Sequence, residues 1–352
     1  MINRRTLIAG AVALGAAGPV WAKAAGGTKR HVIEALSLPP GFNGTLAYGR
    51  SGTIQHIRCV GMADVEAGRP VTASTQFKWG SVSKWLTSIA VLRLVEQKRL
   101  SLDAPITAYL PEFRADTGQR VLLKHLLSNT SGIPDLLSRQ IATEPELRAS
   151  NASAASIVAR FGKGDPSFAP GEGWEYAALN WVILATALER ITGEAFPDLV
   201  RRLVLRPLRM SGTGFAQVGQ PTMPKLAAAY SNALPPVRKM SPSPAFVAAT
   251  GNAAGTVRDA ILAADGVFHG SLLSRASRNE LTTVRWPEQE YALGGRVHAI
   301  DGNLWAWETG KVGGYRTHIA HRLDRSETIV IFNTTDLDQS LIGGWVETIA
   351  RA

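Results

Sequence analysis

Hydrophobic and polar positions sort this chain into strand-like ends and a helical middle. Alternating positions over Thr45–Tyr48 and Thr53–Val60, separated by Arg50-Ser51-Gly52, predict a β-hairpin. Four further segments read as strands near the other end: Ala292–Ile300, Leu304–Glu308, Arg316–Arg322 and Thr328–Asn333. Helical spacing dominates between them. Ser83–Gln97 is apolar nearly all round, which predicts a buried helix. Leu122–Leu127, Ala154–Phe161, Asn180–Thr192, Phe196–Leu205 and Val257–Phe268 follow, with Gly193 as a helix stop. Leu341–Ala350 predicts a closing helix. Residues 217–250, rich in Pro, Ala and Ser, predict a long surface excursion. Residues 23–42, with Gly26-Gly27 and Pro39-Pro40-Gly41, predict a linker.

Strands at both ends with helices between them imply an α/β (α+β) chain with one sheet drawn from both termini. The sheet region covers about 40–105 and 270–352, and an all-helical insertion covers about 106–269. No internal repeat interrupts this plan.

Composition agrees with a folded domain. The chain has 352 residues, 45% hydrophobic and 19% charged, and can bury a large core. Its net charge of +10 comes from scattered residues, with no basic run of five and no interleaved aromatics. That distribution excludes nucleic acid as a partner. It would instead attract an exported protein to anionic envelope polymers.

Arg4-Arg5, the apolar run Leu7 to Ala17 and the small-residue site Val20-Trp21-Ala22 predict an export signal over residues 1–22. It is either twin-arginine-like or an ordinary secretory signal. Residues 23–352 would then form one periplasmic or secreted domain. No later segment reaches the roughly 18 apolar residues of a membrane span. Cys59 is the sole cysteine, so no internal disulfide forms, and a buried structural thiol is expected. The seven histidines show no His-x-x-x-His or similar ligand pair on one helix, and neither metal nor cofactor is expected.

The candidate chemistry starts at Phe77-Lys78-Trp79-Gly80-Ser81-Val82-Ser83-Lys84. On a helix, residues i and i+3 share a face, so Ser81 and Lys84 meet. An amine beside a hydroxyl can make the hydroxyl a nucleophile. Gly80 permits a tight strand-to-helix turn, and a helix N-terminus turns backbone N–H groups toward the serine oxygen. Ser-x-x-Lys alone is a spacing that chance supplies, so the surrounding motifs decide its meaning. His125 lies in an apolar helix and no Gly-x-Ser-x-Gly elbow surrounds Ser81, so His125 reads as structural.

The segment from Phe77 to Leu102 resembles the start of the serine β-lactamase and penicillin-binding family, nearest to class C β-lactamases and their esterase relatives. The resemblance continues through Leu102-Asp103-Ala104-Pro105, Tyr109-Leu110-Pro111-Glu112 and Leu122 to Pro134. It resumes at Pro170-Gly171, Tyr176, Glu189 to Gly193, Ala254 to Asp259 and Gly310 to Ala320. It covers roughly residues 40–350 and implies a β-lactamase/transpeptidase-like fold, with an antiparallel sheet and helices packed on it. By resemblance, Ser81 is acylated, and Lys84 and Tyr176 jointly manage its proton. Thr309, Gly310 and Lys311 would hold the substrate, with the Lys311 and Ser81 N–H groups forming an oxyanion hole.

Two positions depart from the family pattern. Ala178 stands where the Tyr-x-Asn motif has asparagine, although Asn180 is nearby. Glu308 stands where Lys-Thr-Gly or His-Thr-Gly has its cation. An anion at Glu308 would repel carboxylate-bearing substrates or pair with Lys84. Lys311 would have to reach back to restore the charge. Trp305 and Trp307 alternate to the face opposite Glu308 and read as core.

The expectation is an exported serine hydrolase acting on small esters, amides or peptides. The alternatives are a β-lactamase or D,D-carboxypeptidase proper, and a catalytically silent penicillin-binding or envelope interaction protein. The sequence leaves the oligomeric state open.

Overall fold

The computed structural model describes residues 21–217, 223–241 and 243–352. The first hairpin is closed by Ser51 and Gly52, with φ of 49° and 69°, as a two-residue type I′ turn requires. It joins β1 (Gly44–Arg50) to β2 (Thr53–Val60). Next, β3 (Met62–Asp64) and β4 (Arg69–Pro70) pair as a small ribbon. β5 (Phe77–Lys78) leads into the Ser81 segment. In the middle of the chain come β6 (Gly214–Phe215), β7 (Ala229–Tyr230), β8 (Arg238–Lys239) and β9 (Ala253–Gly255). β10 (Arg296–Ile300), β11 (Asn303–Val312), β12 (Tyr315–Arg322) and β13 (Glu327–Asn333) complete the strands.

The principal sheet has the order β10-β11-β12-β13-β1-β2, with every neighbouring pair antiparallel. β13 pairs with β1 from Gly44↔Asn333 to Arg50↔Glu327, which stitches the two halves of the chain together. All seven residues of β13 are buried, so helices cover both of its faces.

One face carries the main core. The helix Ser83–Glu96 lies in it, as does Ala178–Thr192, whose residues Leu179 through Leu188 are all buried. A helix surrounded on all sides has no need of an apolar stripe, which is why both segments are apolar all round. Gly193, at φ 72°, ends the second helix in the left-handed conformation. The other sheet face packs against the closing helix Gln339–Arg351 through Ile342, Trp345, Val346 and Ile349.

The N-terminal linker expected over 23–42 is corrected by a helix, Trp21–Ala35. Tertiary contacts hold it. Ile33 is fully buried beside Tyr48 and Ile349. Lys29 Nζ donates to the carbonyls of Ile349 (2.9 Å) and Ala350 (3.1 Å), satisfying the end of the closing helix. Arg58 donates to the carbonyls of Ile33, Glu34 and Leu36 and satisfies the end of this one. The export signal expected over residues 1–22 lies almost wholly outside the described residues.

The surface excursion expected over 217–250 is corrected in part, since 231–240 are mostly exposed but the segments on either side are not. Ala227 through Tyr230 are buried, Phe246 is in the core, and the Tyr230 N–H donates to the Thr334 carbonyl at 2.8 Å. Among its described residues the inserted region consists of helices and loops plus the two- and three-residue strands β6 to β9, which are too short for periodicity to reveal. Two short helices, Leu136–Thr143 and Arg275–Thr282, add to those expected, with Asp135 and Ser274 as their N-caps. Cys59 is half-buried rather than buried, packed against the core edge, and this burial pushes its thiol pKa up.

Candidate active site

Ser81 sits in a single tight helical turn, Gly80–Val82, that runs directly into Ser83–Glu96. Two glycines allow the sheet to press against this turn. Gly80 has φ 55°, and a Cβ there would stand 2.8 Å from the Lys311 nitrogen and 3.0 Å from Gly310 backbone atoms. A Cβ on Gly310 would stand 1.9 Å from the Trp79 carbonyl oxygen. Both positions therefore demand glycine. Thr317 Oγ1 donates to the same Trp79 carbonyl at 2.9 Å and fixes the turn against β12. The hairpin of β11 and β12 closes at Val312↔Tyr315. Antiparallel alternation from that closing pair turns the Lys311 N–H away from β12, toward the Gly80-Ser81 turn.

Lys84 lies one turn along the helix and is 1% exposed. Its Nζ donates to Ser81 Oγ at 3.0 Å and to the Thr250 carbonyl at 3.0 Å. It also lies 4.9 Å from the centre of the Tyr176 ring and 5.6 Å from that of Trp181. Residues 249–253 strap this helix: Thr87 Oγ1 donates to the Ala249 carbonyl at 2.7 Å, and the Ala253 N–H donates to Ser83 Oγ at 3.1 Å.

Tyr176 arrives from elsewhere in the chain, and its phenol donates to Ser81 Oγ at 2.7 Å. Asn129 and Asp135 position the segment that carries it. Asn129, at φ 60°, accepts the Glu175 N–H at its carbonyl (3.0 Å) and the Ala177 N–H at Oδ1 (3.4 Å). Asp135 accepts the Ala178 N–H at 2.8 Å while also capping the Leu136–Thr143 helix. Neither residue was singled out from sequence. The run Ser128-Asn129-Thr130-Ser131-Gly132, with a turn-forming asparagine, held the signal.

Asn180 does not take the place of the asparagine missing at Ala178. It is fully buried, accepts Ser131 Oγ at 2.8 Å and donates to Asn129 Oδ1 at 3.3 Å. It therefore braces the scaffold beneath Tyr176.

Glu308 is 1% exposed and its carboxylate is held by Arg296 of β10, whose Nη1 lies 2.9 and 3.0 Å from the two oxygens. The Thr309 N–H adds a third hydrogen bond at 2.8 Å. Burial pushes the Glu308 carboxyl up, and Arg296 pulls it back. Burial alone would lower Arg296, but Glu308 together with Tyr291 and Tyr176 holds the guanidinium above its usual range. The alternative of a Glu308–Lys84 pair is thus corrected, since Arg296 is the ion-pair partner, although the Lys84 charge also lowers the Glu308 carboxyl. The Arg296 guanidinium also lies over Tyr291, whose ring meets Trp174 and Tyr176 edge-on. Tyr176 thereby presents an aromatic ring beside Ser81, backed by Trp174 and the fully buried Tyr291.

Thr309 and the Lys311 side chain are not brought to Ser81. Thr309 pairs across the ladder with His318, whereas Gly310 pairs with Thr317 on the nucleophile face. Lys311 is exposed and its charge acts on Asp338. Only its backbone stands at Gly80. Trp305 is core, as expected, but Trp307 is half-buried and lines an outer groove. His125 accepts the Leu122 N–H at 3.2 Å, the structural role expected of it.

The profile of the Beta-lactamase family matches residues 15–345. Esterase EstB of Burkholderia gladioli is 38% identical over 177 residues, covering 47% of this chain and 45% of the esterase. Penicillin-binding protein 4* of Bacillus subtilis (strain 168) is 28% identical over 183 residues, 52% of this chain and 40% of that protein. The chain thus spans less than half the length of these two relatives. Among solved structures, a penicillin binding protein from Bacillus halodurans superposes with a TM-score of 0.77 at 21% identity, over 92% of this chain and 97% of that one. A D-amino acid amidase from Ochrobactrum anthropi SV3 does so with a TM-score of 0.77 at 19% identity, over 94% and 97%.

Proposed function

The chain belongs to the β-lactamase family, and from that premise we propose that it is a serine hydrolase working through an acyl-enzyme on Ser81. The convergence of the Lys84 amine and the Tyr176 phenol on one serine oxygen carries this reading. Ser81 Oγ attacks the substrate carbonyl carbon while its proton passes to the Lys84–Tyr176 pair. The carbonyl electrons move onto oxygen, where the Ser81 and Lys311 N–H groups receive them. Such a donor contributes about 3 kcal/mol to the transition state. Collapse expels the leaving group, which takes the proton from the same pair. Water then attacks the ester of Ser81 by the reverse route, releasing the acid and restoring the hydroxyl.

Small uncharged esters and amides are the substrates this site favours. Arg296 is committed to Glu308, so the motif position that would carry a cation holds a closed ion pair. A substrate carboxylate meets no free charge from it. The exposed ring of Tyr176, backed by Trp174 and the buried Tyr291, suits an apolar acyl or leaving group. The esterase among the relatives agrees with this preference. Arg4-Arg5 and the following apolar run further support export, with the mature enzyme acting in the periplasm or outside the cell.

The test is a substrate panel of p-nitrophenyl acetate and butyrate, D- and L-amino acid amides, and nitrocefin. Ester or amide turnover that disappears in Ser81→Ala supports the proposal. Nitrocefin turnover exceeding that of every ester and amide would overturn the substrate assignment.

A further inference from the structure

The opposite face of the sheet carries a second recess that the proposed hydrolysis does not use. It is a groove of about 510 Å³ between β10, β11 and β12 and the closing helix. Its size lies within the range of small-molecule sites, roughly 300–1,000 Å³. Thr309 and His318, which line it, alternate away from Gly310 and Thr317, so it lies across the sheet from Ser81.

Three observations make this groove more than a packing gap. First, its inner wall holds polar atoms with no partner in the protein, among the described residues: Trp307 Nε1, His318 Nδ1 and Gln339 Oε1. His318 is only 6% exposed. Fourteen such unpartnered atoms occur among the described residues, and three of them cluster on the lining of this one groove. Second, the rings of His298 and His318 flank Trp307, at centroid distances of 5.1 and 5.4 Å, and form a ring-lined floor. Third, the helix over the groove carries Gly343 and Gly344 side by side. A Cβ at either would meet nothing within 4 Å, so no close packing requires them. Each weakens the helix relative to alanine, and together they keep the groove's mouth clear.

The charge of the site selects the ligand. Arg296 is neutralised by Glu308, and the exposed Glu347 at the rim lies 3.5 Å from Arg351. His298 Nδ1 is engaged with Glu290 at 3.1 Å. Burial, with His298 and Arg296 nearby, pushes His318 down to about 3, so its ring is neutral at neutral pH. Trp307, His318 and Gln339 thus bring an indole N–H, a neutral imidazole and an amide oxygen to the groove's lining, atoms that are closed to solvent in this conformation and that a ligand reaches by rotation of those side chains. Groups that both donate and accept satisfy such a set, and hydroxyls do so without bringing charge. We propose that this groove is a binding site for an uncharged sugar of one or two rings.

The proposal is tested by saturation-transfer NMR and calorimetric titration of the full chain with maltose, cellobiose and N,N′-diacetylchitobiose. Co-sedimentation with insoluble cellulose and chitin separates a free sugar from a polymer end. One of these sugars should bind, with Kd in the micromolar to millimolar range. Gly343→Leu fills the mouth and should weaken binding at least tenfold. Trp307→Phe keeps a ring but removes the N–H, and should weaken it three- to tenfold. Thermal melting of both variants establishes that they fold, and serine labelling should be unchanged in Gly343→Leu. No binding by any probe at 10 mM would overturn the proposal. So would binding that survives both substitutions, or tighter binding of glucuronate or glucosamine than of neutral sugars. Labelling at Ser81 is a separate readout, so failure of the groove and failure of the hydrolase assignment are distinguishable.

Discussion

Replacing Arg296 by methionine should turn Glu308 from a satisfied group into a buried, unpaired carboxylate. At the observed 2.9 Å separation and an effective dielectric of ~20, the pair attracts by ~6 kcal/mol. Desolvation of both ions offsets much of that gain, but removing one partner leaves the other's penalty standing, typically about 3–5 kcal/mol. The two single variants should differ. The Glu308 side chain is 1% exposed and the Arg296 side chain 17%. Arg296 in Glu308→Gln can therefore turn toward water, whereas Glu308 in Arg296→Met cannot, and Arg296→Met should be the worse. Arg296→Met with Glu308→Leu should recover most of the loss, because an apolar pair of similar volume has no ion to desolvate. The pH sign follows from Glu308, whose carboxyl burial already pushes up. Without Arg296 it rises further. A raised folded-state pKa gives stability that is present below the ordinary carboxylate range and lost as pH rises through the folded value. Arg296→Met should thus be closest to wild type near pH 5 and furthest from it at pH 8. Urea unfolding followed by tryptophan fluorescence at both pH values measures this. A loss below 1 kcal/mol that does not change with pH would refute the reasoning.

Other substitutions separate the parts of the site. Gly80→Ala places a methyl 2.8 Å from the Lys311 nitrogen at a left-handed φ; kcat should fall about 10²- to 10³-fold through the displaced oxyanion donors, and an unchanged kcat in ester hydrolysis would count against that hole. Tyr176→Phe removes the phenol bonded to Ser81 Oγ from a side chain that is 37% exposed. It should lower kcat/KM about 10²-fold or more while leaving the melting temperature within about a degree. Lys78 is 5% exposed, and burial pushes its amine down to about 8. Between pH 8 and its ordinary value of 10.5 the unfolded chain holds a proton that the folded one does not, so stability from this group rises with pH, by about 3 kcal/mol in all. Lys78→Met should lose that rise, as read from unfolding curves at pH 7.5 and 10.

What sequence could reveal follows the distance over which each feature is encoded. Ser81 and Lys84 meet through helix periodicity alone, so their spacing predicted their contact. Strands at both ends predicted the shared sheet, and Gly193 ended its helix where expected. Arg296 was hidden, because its partnership with Glu308 depends on the register of β10 against β11. Asn129 and Asp135 act on Tyr176 across more than forty residues, which no local pattern records. The helix Trp21–Ala35 was hidden for a related reason, as Lys29, Ile33 and Arg58 hold it by contacts distant in sequence. Thr309 teaches a different lesson. Strand alternation, applied to Trp305 and Trp307, already placed Thr309 on their face, and the motif resemblance overrode it.

The central claim is that Ser81 is the acylated residue, and active-site labelling tests it most directly. The full chain is treated with a fluorophosphonate, digested, and mapped by mass spectrometry. One adduct on Ser81, slowed strongly in Lys84→Met and absent in Ser81→Ala, is the predicted result. Labelling on another residue, or none under conditions that label an active family member, would contradict it.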